Sequence, residues 1–314
     1  MALCPDITFI KCRKSRFYKI LFFLFVVVIM ILDHKGSIIL RIIMYHLLYL
    51  PEMYFPVNLE QMIKSCHVTG GSTKSRNVKN KVGTAYLPSI NATYRRLMKD
   101  LIVVFNDFAK QQNITYFLYN GSLIGSYRHH GMIPWDDDVD VVVYEKHKSN
   151  LKVALTSLPN SFKGIVTNCR WKLTYRHLPL IRKGISWSYP FIDISFFRLS
   201  FGNVYDADIP WAARGFSYKI CDVFPLVERS FWDMWLPVPR KTDVVLKASY
   251  DINICISLSY SHAQERYLER SFSVPCDTLR QFYPFVERRM VNRTKEVEQL
   301  KFNDGIVHSI IVKN

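Results

Sequence analysis

The run from Ile133 to Val143, IPWDDDVDVVV, sets the tightest condition on any fold this chain can adopt. Acids stand at Asp136, Asp137, Asp138 and Asp140, and they pass without a break into Val139–Val143, a stretch apolar enough for a buried strand. Strand alternation puts Asp136, Asp138 and Asp140 on one face and Val139, Val141 and Val143 on the other. A solvated acidic turn would explain an isolated run of this kind. Carboxylates crowded at the end of a buried strand instead repel one another and lose hydration, at a cost on the order of several kcal/mol unless a cation compensates. A hard divalent ion does so, because Mg²⁺ takes carboxylate oxygens at about 2.1 Å and keeps positions open for substrate phosphates. Asp138 and Asp140 are therefore read as metal ligands. Asp193 is the candidate for a third, as a single acid in the otherwise apolar segment Pro190 to Phe197. Backbone donors could satisfy an Asp there too, but a shared metal is the more economical explanation.

Upstream, Tyr116 to Tyr119 suits a strand, Asn120, Gly121 and Ser122 a turn, and Leu123 to Tyr127 the start of a helix. A strand entering a Gly-Ser turn at a helix N-terminus presents backbone N–H groups and a hydroxyl to a phosphate, although Gly-Ser capping is also common for structural reasons alone. Arg128 follows closely, with a planar fork suited to phosphate; a surface salt bridge is its alternative. Lys172 and His262 are weaker candidates, and Trp135 is read as a buttress of the acidic run. Apolar residues at Leu97, Leu101, Val104, Phe105 and Phe108 predict a helix over Asn91–Gln112.

The chain has 314 residues, 49% of them hydrophobic and 22% charged, which excludes wholesale disorder. A net charge of +16 points to an anionic partner without choosing among phosphorylated metabolites, nucleic acid and lipid. None of the 7 cysteines stands in a CxxC or Cys/His zinc spacing, which argues against a structural zinc site. The apolar residues concentrate in Ile20 to Leu32, behind Lys11, Arg13, Lys14, Arg16 and Lys19. The run is short of the roughly 30 Å hydrocarbon core unless Lys19 snorkels. A signal peptide lacks a nearby small-x-small cleavage site, and a buried core helix would not carry that basic leader, so a signal-anchor with a lumenal C-terminal portion is expected. The next stretch, Ser37 to Leu50, contains Arg41 and His46 and is read as interfacial. The expected organisation is a cytosolic tail (1–19), a transmembrane anchor and interfacial segment (20–50), a basic stem (51–93) and a catalytic domain (94–314). The stem's Gly70–Gly83 run is basic and acid-free, and is read as a solvated linker rather than a nucleic-acid site. In the lumen, Cys66, Cys169, Cys221, Cys255 and Cys276 would be an odd set, leaving at least one unpaired or paired between molecules. Sequons begin at Asn91, Asn113, Asn120 and Asn292, of which Asn120 lies inside the proposed site, where a glycan is not expected.

The string GSLIGSYRHHGMIPWDDDVDV resembles the signature of the LicD family, which includes bacterial phosphocholine transferases, the fukutin and fukutin-related proteins and a set of poorly characterised animal members. The similarity continues through Asp193, Cys221 to Leu226 and Leu236 to Arg240 to the string from Ser259 to Glu269, covering roughly Tyr94 to Val286. It implies an α+β fold, a nucleotidyltransferase-like mixed sheet with flanking helices. It also implies transfer of a phospho-alcohol from a CDP-activated donor to a glycan. The matching site positions are Gly121 and Ser122 for phosphate, and Asp138, Asp140 and Asp193 as catalytic and metal-binding residues for Mg²⁺ or Mn²⁺; Asp137 stands where a non-acid would serve.

The expected protein is thus a single-pass type II enzyme of the Golgi or endoplasmic reticulum membrane, with a CDP-alcohol and a glycan acceptor as partners and no nucleic acid. The alternatives are a non-catalytic scaffold assisting a glycosylation enzyme, and a nucleic-acid nucleotidyltransferase. A C-terminal tag should be shielded from protease added to intact microsomes; a cytosolic C-terminus would sink the glycan reading.

Overall fold

The computed structural model describes residues 84–207, 216–292 and 295–313, all within a unit running from Lys74 to Asn314. The expected tail, the anchor and the stem up to residue 83 lie outside the described residues. Among the described residues no helix is long and apolar enough to cross a membrane.

The fold is α+β. Helix α1 (Ala92–Gln111) is capped by Asn91, whose side chain accepts a hydrogen bond from the Tyr94 amide at 2.9 Å. It buries Met98, Leu101, Ile102 and Phe105 completely; of the expected face Leu101, Phe105 and Phe108 are buried, while Leu97 and Val104 are half-buried. The packed region begins before residue 94: Tyr86 is buried, its hydroxyl donating to the Cys255 and Phe272 carbonyls. The last residues assigned to the stem therefore belong to the domain.

Next come β1 (Tyr116–Leu118), α2 (Asn120–His129), β2 (Val139–Tyr144), α3 (Lys148–Thr156), β3 (Phe162–Ile165), β4 (Trp171–Tyr175), β5 (Phe191–Ser200), β6 (Asn203–Asp206) and β7 (Ser217–Lys219). They build a mixed sheet in the order β1-β2-β5-β4-β3, with β6 and then β7 continuing from the far part of β5. Strands β2 and β5 are parallel and their other pairings antiparallel. Both are nearly continuous apolar runs, as strands covered on two faces should be; Val139, Val141, Val143, Ile192 and Ile194 are fully buried. The register places Asp140 opposite Asp193 and Asp193 opposite Lys172.

The remaining chain forms α4 (Ile220–Val223), the hairpin β8 (Val227–Phe231) and β9 (Met234–Val238), and α5 (Thr242–Ser249). Strand β10 (Ile254–Ile256) pairs with β13 (Ser273–Pro275), enclosing the small hairpin β11 (Tyr260–Ser261) and β12 (Arg266–Tyr267). A Cys255–Cys276 disulfide ties these segments, while Cys169 and Cys221 are free. The chain ends in the meander β14 (Phe285–Asn292), β15 (Lys295–Phe302) and β16 (Gly305–Lys313).

A buried ionic cluster fastens this meander to the domain. Glu298 is fully buried and accepts hydrogen bonds from Arg229, from Arg288 at 2.7 Å and from His130 at 3.3 Å. Burial alone would raise its pKa, but these three partners outweigh it and hold the carboxyl down at about 2. Beside it, His129 packs on Phe285 and donates through Nδ1 to the Pro284 carbonyl at 2.8 Å. Burial, then the neighbouring Arg128, lowers its pKa to about 3. Unfolding therefore adds a proton at residue 129 below the ordinary histidine pKa of about 6.5. This contribution to stability is complete above that pH and is lost as pH falls towards 3. The Tm advantage of the wild type over His129→Phe should shrink between pH 7.5 and 5, measured by thermal unfolding; a constant gap would refute the neutral, buried imidazole.

Candidate active site

The site forms at the end of β2 and β5 where the acidic run enters the sheet. Asp140 is on β2, Asp138 one residue before it and Asp193 on β5. A ligand atom from each lies within 4.8 Å of one from either of the others. All three side chains are buried, and Asp193 Oδ1 has no hydrogen-bond partner. Burial pushes Asp138 up to about 7, with Asp136, Asp137 and Asp193 adding to it and His262 opposing. Asp140 rises well above the carboxylate range through burial and through Asp138 and Asp193, against Arg170. Asp136 is likewise pushed up to about 7 by burial and by Asp137. Crowded oxygen ligands, one without a partner, fit the donor set of a hard divalent cation.

Cationic side chains face these carboxylates. Lys172 Nζ is 3.2 Å from Asp193 Oδ2 and Arg170 NH1 is 3.8 Å from Asp140 Oδ1. His262 bridges two acids, with Nδ1 2.9 Å from Asp137 Oδ1 and Nε2 3.3 Å from Asp138 Oδ2. Burial disfavours its charge, but Asp138 and Asp137 prevail and raise the imidazole to about 10. Asp137 is bonded to the segment around β11: its Oδ2 also accepts from Ser261 Oγ at 3.3 Å and from the Ala263 amide at 3.2 Å. A position with no role in the sequence reading thus pins β11 against the acidic run.

The Gly-Ser element sits differently from the expected turn. Helix α2 already begins at Asn120, because its first turn is drawn onto the acidic segment. Ser122 Oγ is buried and accepts a hydrogen bond from the Asp140 amide at 2.8 Å. A side-chain Cβ at Gly121 would come within 2.5 Å of Asp136 Oδ2, so only glycine lets that carboxylate pack against the helix. The N-terminal dipole of α2 then favours the nearby negative charge. Arg128 lies on the same helix with its guanidinium turned to the Ile254 carbonyl at 3.4 Å and to the disulfide sulfurs of Cys255 and Cys276 at 3.3 and 3.1 Å. Burial lowers its pKa to about 10, with Asp136 opposing, and its Nε has no hydrogen-bond partner. Trp135 is buried, donates to the Ile256 carbonyl at 3.0 Å and packs against Tyr86, in keeping with a buttress.

A cavity of about 460 Å³ adjoins the acids, bordered by Asp136, Arg128, His262, Tyr250, Tyr260 and Ile254. Its size is that of a small-molecule site. Arg170 was not singled out from the sequence, and His262 ranked low. Arg170 had a usable signal, since Arg170 and Lys172 stand two apart at the start of an apolar strand, the pattern that exposes Asp193 on β5.

Part of the chain matches a known class of domain. The family profile described as "LicD/FKTN/FKRP, nucleotidyltransferase domain" matches residues 113–241, a segment that contains α2, β2, β4 and β5. This match supports a relation to the LicD family over that segment. Over 45 residues, 14% of this chain and 17% of the relative, it is 42% identical to the lipopolysaccharide cholinephosphotransferase LicD of Haemophilus influenzae. Over 60 residues, 19% of this chain and 21% of the relative, it is 35% identical to an uncharacterized protein of Rickettsia prowazekii. The chain thus spans about a fifth of the length of these curated relatives. Among solved structures, lincosamide antibiotic adenylyltransferase LnuA with lincomycin bound aligns at a TM-score of 0.33 and 15% identity, covering 54% of this chain and 92% of that one.

Proposed function

We propose that this chain is a metal-dependent phosphotransferase that moves a phospho-alcohol, such as ribitol phosphate or phosphocholine, from a CDP-activated donor onto a glycan of a glycoprotein or glycolipid. The secretory pathway is the proposed setting, with the domain on the lumenal side of a Golgi or endoplasmic reticulum membrane. The observation that carries this reading is the convergence of Asp138, Asp140 and Asp193 into one buried cluster with an unpartnered oxygen on Asp193. The LicD family match over residues 113–241 and the similarity to a bacterial cholinephosphotransferase support it.

Asp138, Asp140 and Asp193 are the residues that would hold Mg²⁺ or Mn²⁺, and the ion would supply positive charge to the phosphoryl oxygens of the donor. In the reaction, the acceptor hydroxyl oxygen bonds to the outer phosphorus of the donor. The bond from that phosphorus to the bridging oxygen breaks, and CMP leaves with the electron pair. Asp193 Oδ1 has an open position for the acceptor proton. Ser122 and Gly121 hold α2 against the acidic segment, so that they act on the site through Asp140 and Asp136. The cavity beside Asp136 and His262 is the proposed seat of an organic part of the substrate.

A second reading, a non-catalytic scaffold assisting a glycosylation enzyme, draws on Arg170, Lys172 and His262, which already balance part of the carboxylate charge. Incubation with a panel of CDP-alcohols and glycan acceptors separates the two. Turnover with Mg²⁺ or Mn²⁺ should be lost in chelator and should fall at least about a hundredfold in Asp138→Ala. No turnover with any donor, together with unchanged thermal stability on adding metal, would favour the scaffold.

A further inference from the structure

We infer that Arg170 and Lys172 form the binding subsite for the diphosphate of the donor, held by Asp140 and Asp193 until a divalent cation takes those carboxylates. The inference rests on the metal-dependent reading above and deepens it.

The argument begins with the strand register. Lys172 on β4 faces Asp193 on β5, which in turn faces Asp140 on β2. Arg170, two residues before Lys172 and just ahead of β4, reaches Asp140. The sheet thus fixes Lys172, and Arg170 at the entry to β4 joins it, beside the carboxylates expected to bind metal.

Their contacts with the two carboxylates are longer than the tightest ones of the structural cluster. The pairs at the site measure 3.2 and 3.8 Å, whereas Arg288 meets Glu298 at 2.7 Å within the structural cluster. Charge-assisted hydrogen bonds close to about 2.7–2.9 Å when both partners are committed to them. The site pairs are looser, so a cation bound at about 2.1 Å can compete for the same oxygens. Lys172 cannot readily swing out to solvent, because its ammonium lies 4.1 Å from the Phe191 ring centroid and 5.0 Å from that of Trp187. Its side chain is only 9% exposed.

A metal on Asp140 and Asp193 reduces the negative charge that Arg170 and Lys172 face. A buried lysine and a part-buried arginine then favour an anion in place of that charge. Arg170 offers a planar fork and Lys172 a compact charge, a combination suited to adjacent phosphate groups. The chemical class is a diphosphate, which matches the linkage broken in the proposed reaction.

The two parts of the inference predict opposite effects of one substitution. Removing a cation should relieve competition for the carboxylates, so Lys172→Met and Arg170→Gln should bind Mn²⁺ at least about threefold more tightly than the wild type. The same variants, saturated with Mn²⁺, should bind inorganic pyrophosphate about tenfold more weakly. Lys172→Arg should keep pyrophosphate affinity within about threefold. Titration calorimetry on the full chain reads both quantities, with Asp138→Asn as the control that loses Mn²⁺. The two cation variants are independent, so either one that folds decides the matter. Unchanged pyrophosphate affinity, or Mn²⁺ and pyrophosphate affinities that fall together, would overturn the inference while leaving the metal-dependent reading in place. A wild-type protein that binds no Mn²⁺ would overturn both.

Discussion

Everything at the candidate site depends on the register between β2 and β5. Because these strands are parallel and paired as Asp140 with Asp193, two carboxylates from distant parts of the chain meet inside an apolar sheet. A one-residue slip would turn one of them to the opposite face and break the cluster. The valines of β2 and the isoleucines of β5 specify the register by their burial, so the packing of the core and the position of the acids are one constraint. The antiparallel pairing of β4 with β5 extends the row to Lys172.

The later chain fits around this row. Asp137 receives Ser261, His262 and Ala263, which brings an imidazole to Asp138 from a segment far away in sequence. Tyr189 adds a hydrogen bond to the Asp137 carbonyl at 2.6 Å. The disulfide between Cys255 and Cys276 lies against Arg128, so the segments bordering the cavity are tied to α2 through that guanidinium. The Glu298 cluster joins the C-terminal meander to the same helix at His130. Helix α2 thus mediates between the metal-binding candidates and the distal half.

Much of this was legible in the sequence where a residue breaks a regular pattern. Asp193 stands out as one acid in an apolar strand, and the acidic run stands out by its transition into valines. The amphipathic spacing of α1 marks that helix to within a residue at each end. The role of the Gly-Ser element was less legible, since local composition does not distinguish a turn that awaits a phosphate from a first helical turn already bonded to Asp140. His262 was obscured because β11 and β12 are too short for periodicity, and its partner Asp137 is 125 residues away. Glu298 sits in a strand of alternating charge, KEVEQLKF, which reads as solvent-facing, and only the tertiary approach of Arg229, Arg288 and His130 accounts for its burial.

The central claim is that Asp138, Asp140 and Asp193 together bind a divalent metal. Anomalous diffraction from crystals soaked in Mn²⁺ tests it most directly. The account predicts a peak within about 2.1–2.3 Å of carboxylate oxygens from all three residues. A protein saturated with Mn²⁺ that shows no peak there, or binds the ion elsewhere, would contradict it.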